Sequence, residues 1–160
     1  MAAGLRVFHL LQVAHSALFR AADHRARQEM GLTITQIAVL IILNDRDGQP
    51  ASEIATRLSM GKSSLTALID RLCEKDLVRR RPSANDGRVT LVHLEDAGRR
   101  AAEAARIHTR HYNAALLEPF TEEEQNVIGR FLQHLAHNAN AIINVPDNPS
   151  RGEGSSDDDN

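Results

Sequence analysis

Read from the amino end, apolar residues recur at helical spacing at Val7, Leu11, Ala14, Leu18 and Ala21, so residues 5 to 30 predict one amphipathic helix ending near Gly31. Thr33-Ile34-Thr35-Gln36 then has the form of a capping box, in which Thr and Gln side chains reciprocally satisfy backbone N–H groups at a helix start. It opens the run Ile37-Ala38-Val39-Leu40-Ile41-Ile42-Leu43, apolar on every side. A buried strand has the same pattern, but the cap and the length favour a central buried helix, closed by Asp45-Arg46-Asp47-Gly48. A short helix follows around Ala51 to Leu58, then Ser59-Met60-Gly61 as a turn, then a longer helix from about Lys62 to Lys75. In this longer helix Leu65, Leu68, Ile69 and Leu72 form the inward stripe. Lys62, Ser63, Ser64, Thr66, Ala67, Asp70 and Arg71 are left facing outward or sideways.

The pattern changes period after this helix. Val78 to Arg81, the turn-forming Pro82-Ser83-Ala84-Asn85-Asp86-Gly87, and the alternating Arg88-Val89-Thr90-Leu91-Val92-His93-Leu94 predict strand, tight tip and strand. An Ala-rich helix from roughly Asp96 to Leu117 ends at Glu118-Pro119. Thr121-Glu122-Glu123-Glu124 is a second capping box, opening a final helix to about Ile143 striped by Ile128, Phe131, Leu135, Ala139 and Ile142. Beyond Asn144 the Pro, Gly, Ser and Asp content predicts a disordered acidic tail.

Composition narrows the class. At 160 residues and 42% hydrophobic content the chain can build a real core. No run approaches the roughly 20 apolar residues of a membrane span, and Leu5 to Phe19 is broken by Arg6, His9, Gln12, His15 and Ser16, unlike a signal peptide. The single cysteine, Cys73, makes no internal disulfide, and Asn148-Pro149-Ser150 carries the forbidding proline for glycosylation. A cytoplasmic protein without membrane contact is expected. The net charge of -2 conceals a division: Arg57 to Arg100 holds ten Lys/Arg against six Asp/Glu, while the tail from Pro146 holds five acids and one Arg. A solvated surface would tolerate that basic block, but a face presented to nucleic acid requires one. Arg79, Arg80, Arg81 and Arg88 flank the strand tip.

The stretch from Ser52 to Gly98 resembles the MarR family of transcription regulators. Leu65-Thr66-Ala67-Leu68-Ile69-Asp70-Arg71-Leu72-Cys73-Glu74-Lys75-Asp76-Leu77-Val78-Arg79-Arg80 looks like its recognition helix running into its wing, and Asp86-Gly87-Arg88 and Gly98 follow in the order the family shows. The resemblance implies a mainly α fold with a small two- or three-stranded antiparallel wing, a winged helix-turn-helix flanked by N- and C-terminal dimerisation helices. It divides the chain into dimerisation helices at 1–32 and 96–145, a DNA-binding domain at 33–95 and the tail at 146–160. It implies a homodimer on palindromic double-stranded DNA, acting as a repressor, with each recognition helix in a major groove and each wing at a neighbouring minor groove. The DNA-contacting residues are then Lys62, Ser63, Ser64, Thr66, Ala67 and Arg71 on the helix, and Arg79, Arg80, Arg81, Asp86 and Arg88 on the wing. Asp86 is expected to orient Arg88 toward a narrow minor groove. One departure is Glu95 where the family usually has Thr, so the next helix needs another cap, for which Asp96 is the candidate. The outer helical stripes lie outside the winged-helix core, and pairing two subunits would bury them.

Many relatives release DNA when a small aromatic or phenolic acid enters between the dimerisation helices and the winged helix. His15, Arg20, His24, Arg46 and His111 are the candidate polar groups of such a cleft. The chain has no Trp, departing from the urate-responsive branch, and no N-terminal Cys, departing from the hydroperoxide-sensing branch. His108 with His111, and His134 with His137, raise metal sensing as an alternative, but two histidines per helix do not make a zinc site, and the mixed Cys, Glu and His pattern of zinc-sensing relatives is not matched. Neither metal nor cofactor is expected. Gly61-Lys62-Ser63 lacks the earlier glycine and strand of a phosphate-binding loop, and no Gly-x-Ser-x-Gly occurs, so an enzyme is not expected. A winged-helix module that binds protein instead of DNA is the other alternative.

Overall fold

The computed structural model describes residues 6–144, so the predicted acidic tail at 146–160 lies outside the described residues. The element order is α1 (Val7–Met30), α2 (Ile34–Asp45), β1 (Gln49–Pro50), α3 (Ala51–Arg57), α4 (Lys62–Glu74), β2 (Val78–Pro82), β3 (Thr90–Leu94), α5 (Asp96–Leu117) and α6 (Glu122–Ile143). By compactness the chain divides into Met1–Tyr112 and Asn113–Asn160.

In the first unit, local chemistry sets the helix boundaries. Gly31 stops α1 in the left-handed region at φ +63°, a backbone that costs glycine nothing, and its N–H returns to the Arg27 carbonyl at 3.1 Å. Thr33 caps α2 through the anticipated box: its hydroxyl accepts from Gln36 N–H at 3.1 Å, and Gln36 Oε1 accepts from Thr33 N–H at 2.9 Å. Asp23 of α1 accepts the Ile34 N–H at 2.9 Å and Arg27 Nε at 2.7 Å, so it ties α1 to the start of α2. The Arg27 bond and then the Ile34 N–H hold its carboxyl below the ordinary aspartate value.

The apolar run of α2 is the centre of the core. Val39, Leu40 and Leu43 are buried with Ile54 of α3, Leu65, Ile69 and Leu72 of α4, and Val92 of β3. The sheet is antiparallel in the order β1-β3-β2, with Gln49 opposite Val92 and Val78 opposite Leu94. Gln49 is buried yet satisfied: its amide donates to the carbonyls of Ile42 and Arg46, while Arg46 Nη2 reaches its oxygen at 3.3 Å. Asp47 fastens the loop before β1 to β3 by accepting Leu94 N–H at 2.8 Å. Burial pushes the Asp47 carboxyl up, but the Leu94 and Gly48 N–H groups and His93 more than offset it and leave the group below its ordinary range.

α5 starts against the turn between α4 and β2, where Glu95 N–H donates to the Leu77 carbonyl at 3.0 Å. Gly98 is buried there, and a Cβ on it would lie 2.0 Å from that same carbonyl oxygen. Asp96, the candidate cap, is instead the first helical residue, where its negative charge suits the helix dipole. Glu95 directs its carboxylate to Arg79 at 2.9 Å.

In the second unit the Thr121–Glu124 capping box forms as the spacing predicts. Gln125 Nε2 donates to the carbonyls of Leu117 and Phe120 at 3.1 and 2.9 Å, fastening the turn before α6. No residue of α6 is buried, and Phe131 and Ile142 of its stripe are exposed.

Candidate nucleic-acid interface

The α3–α4 turn bends at Ser59, which has φ +52°, and α4 begins after Gly61 without a side-chain cap. Its first-turn N–H groups are therefore left to solvent or a ligand, at the positive end of the helix dipole. Leu65, Ile69 and Leu72 anchor the inner face, Leu68 is half-buried, and Lys62, Ser63, Ser64, Thr66, Ala67 and Arg71 are all exposed. The Thr66 hydroxyl donates to the Lys62 carbonyl at 2.9 Å, so toward a ligand its oxygen can only accept. Small side chains at Ser63, Ser64 and Ala67 keep this face low enough to approach a groove wall, and Lys62 and Arg71 bracket it with positive charge.

The wing tip is held by its own backbone. Ser83 N–H meets the Val89 carbonyl at 2.7 Å, and Val89 N–H meets the Asp86 carbonyl at 2.9 Å. Asp86 holds Arg88 through the backbone: its Oδ1 accepts the Arg88 N–H at 3.0 Å, and no ion pair joins the two side chains among the described residues. An aspartate can serve its own turn two residues on, and here that local bond wins because it needs no long side chain to be ordered. Arg88 is exposed and makes no ion pair among the described residues.

The three wing arginines differ in their partners within the protein. Arg79 pairs with Glu95 at 2.9 Å, Arg80 pairs with Asp70 of α4, and only Arg81 has no ion-pair partner among the described residues. Strand alternation places Arg80 on one face and its two neighbours on the other.

The five candidate effector-cleft residues are not brought together. Arg46 is taken by Gln49 and Glu53. Arg20 and His24 line a shallow groove between α1 and the start of α2 with Phe19 and Asp23, while the His15 and Phe19 rings meet at a tilt with centroids 4.3 Å apart and His111 lies beside Tyr112. The cleft that does form lies among α1, α2 and α5 in the first unit. Ala22, Ala26 and Ala105 line its wall, and Glu29, His108 and Tyr112 supply its polar rim. His108 Nε2 is 3.7 Å from Glu29.

Among the described residues no three His, Cys, Asp or Glu side chains are grouped to hold a metal ion. His134 accepts from Asn138 at 3.3 Å, and His137 Nδ1 donates to the Gln133 carbonyl at 2.7 Å. Burial pushes the Cys73 thiol above its ordinary value, which disfavours the thiolate. No single helix among the described residues is long and apolar enough to cross a membrane.

Comparison with known proteins gives a consistent set. Residues 32–90 match the family model described as MarR family. The chain is 30% identical over 147 residues to the transcriptional repressor MdtR of Bacillus subtilis, covering 90% of this chain and 94% of the relative. It is 30% identical over 118 residues to the transcriptional repressor IacR of Pseudomonas putida, covering 74% of this chain and 71% of the relative. Among solved structures, the S. aureus MepR–DNA complex superposes with a TM-score of 0.78 at 22% identity, over 85% of this chain and 99% of that one.

Proposed function

Since the chain belongs to the MarR family of transcription regulators, we propose that it is a homodimeric repressor that reads a palindromic operator and lets go when a small effector binds. The observation that carries this reading is the division of α4, with an apolar face locked into the core and Lys62, Ser63, Ser64, Thr66, Ala67 and Arg71 presented together on the other. The helix enters the major groove, its uncapped N-terminus toward phosphate, and Arg88 reaches the adjacent minor groove. Arg81 adds a phosphate contact. DNA is the partner favoured over another protein because the exposed face is small, polar and basic, with no apolar anchor among those six residues.

Two subunits are needed because the outer helices carry unpartnered apolar surface. Phe8 is 75% exposed on α1, Ile107 65% on α5 and Ile143 68% on α6, far beyond the scattered apolar residues of an ordinary monomer surface. A second copy buries these faces and supplies the second reading head, about one DNA turn away. The effector enters the α1–α2–α5 cleft. That cleft holds only about 40 Å³, room for a few waters, so an aromatic ligand requires the helices to part. Such movement couples ligand binding to the spacing of the reading heads.

Selection of bound fragments from the source genome, followed by titration over a salt series, tests this reading. Binding should be confined to palindromic sites and fall steeply with salt as phosphate counterions are released. Affinity that ignored salt, or capture of protein and no DNA, would favour the protein-interaction module.

A further inference from the structure

Three successive arginines in β2 would be taken as one basic patch, but the strand sorts them. Val78 is buried in the core, so Arg80, two residues on, shares its face of the sheet, while Arg79 and Arg81 share the other. That face meets α4. One guanidinium nitrogen of Arg80 binds the Asp70 carboxylate, and the other lies 3.4 Å from the Thr66 carbonyl oxygen. The two acceptors are one helical turn apart on the helix whose outer face carries Ala67 and Arg71. A planar fork that holds two points of one helix restrains its rotation as well as its distance, which a single contact does not.

We infer that Arg80 is a positioning residue that sets the angle of α4 to the wing and cancels the charge of Asp70, and that it makes no DNA contact of its own. The inference rests on the proposed reading that α4 and the wing engage DNA. Both terminal nitrogens of Arg80 are engaged inside the protein. Asp70 lies between Ala67 and Arg71 in the sequence of the proposed reading helix, where an uncompensated carboxylate would repel the phosphates those neighbours approach. Lys62, Arg71, Arg81 and Arg88 make no ion pairs among the described residues and are the cations left for DNA. The pair therefore contributes specificity by fixing which α4 side chains meet which base edges while the wing stays on its phosphates.

The test uses the full-length protein with Arg80→Lys, Arg80→Ala and Asp70→Asn. Affinities for the selected operator and for an unrelated duplex of equal length are measured by fluorescence anisotropy across a salt series, with a thermal melt of each variant. Arg80→Lys keeps the charge but loses the fork, and Asp70→Asn keeps Arg80 but loses its anchor. Each should lower the operator-to-unrelated ratio on the order of tenfold, as coupled side-chain pairs do. The Arg80→Lys salt slope should match wild type, and melting should change little because the pair is half exposed. The inference is overturned if Arg80→Lys keeps the ratio while Arg80→Ala flattens the salt slope by about 0.9 per lost contact, the mark of a phosphate contact. It is equally overturned if Asp70→Asn binds the operator more tightly with its ratio intact, since that is what freeing a DNA-contacting Arg80 would do. Wild-type protein that bound neither duplex in a salt-dependent way would instead defeat the underlying DNA-binding reading, and this inference with it. Should Arg80→Ala not fold, the two conservative variants decide.

Discussion

Replacing Gly98 by alanine adds one methyl group and should be among the most damaging single changes outside the apolar core. The new Cβ would stand 2.0 Å from the Leu77 carbonyl oxygen, 2.9 Å from the Leu77 carbonyl carbon and 3.1 Å from Leu94 Cδ2. A relaxed carbon–oxygen approach is about 3.3 Å, so the start of α5 must retreat by more than about 1 Å. The obstacle is backbone at the junction of α4 and β2, which cannot swing aside like a side-chain end. Retreat also pulls Glu95 N–H away from the Leu77 carbonyl it now meets at 3.0 Å. Overpacking of this kind costs about 1 to 3 kcal/mol, and an overlap against backbone belongs at the upper end. Loss of the hydrogen bond adds about 1 kcal/mol, and the better helix propensity of alanine returns about as much. The net is about 3 kcal/mol, or a fall of about 6 to 12 °C in Tm for a chain this long. Thermal unfolding by circular dichroism at one fixed protein concentration measures it, since dimerisation makes Tm concentration-dependent. Gly129→Ala in α6 is the matched control: nothing lies within 4 Å of its Cβ position, so only the propensity gain of up to about 1 kcal/mol remains. Wild-type stability or better in Gly98→Ala would refute the steric argument.

Arg88→Ala should weaken operator binding severely with Tm nearly unchanged, because an exposed, unpaired wing-tip side chain supports no core contact; about 1 to 3 kcal/mol is at stake per contact, twice in a dimer. Gel-shift titration at fixed salt decides it, and wild-type affinity would leave DNA reading to α4 alone. Asp86→Ala should give a smaller defect in the same direction, now through a loosened turn backbone. For Asp23, whose carboxyl sits below its ordinary 3.8 in the folded chain, stabilisation is present above that value and lost as pH falls through the lower folded value. The Tm gap between wild type and Asp23→Asn should therefore be constant near neutrality and close only below about pH 4; a gap that persisted unchanged to pH 2 would show that the carboxylate charge is not what ties α1 to α2.

What the sequence determined by itself was everything whose cause lies within about one helical turn. The two capping boxes at Thr33 and Thr121, the stop at Gly31 and the inward stripe Leu65, Ile69 and Leu72 depend on residues three or four apart, and all are found where the spacing predicts. The apolar run of α2 had to be central because no face of it tolerates water. Pairing across long separations was decided only by the folded chain. Gln49–Pro50 is too short to show a strand pattern, and it is one because β3 offers it an edge. The fate of Arg79, Arg80 and Arg81 depends on which face of β2 turns toward α4, a matter of register that three identical residues cannot announce. Arg46 and His111 carry chemistry suited to binding a small polar molecule, yet the cavity among α1, α2 and α5 is lined by Ala22, Glu29 and His108 instead, because which residues of three separate helices share a cavity is set by how those helices pack. Polar type tells what a residue can bind; only the packing of helices tells what it can reach.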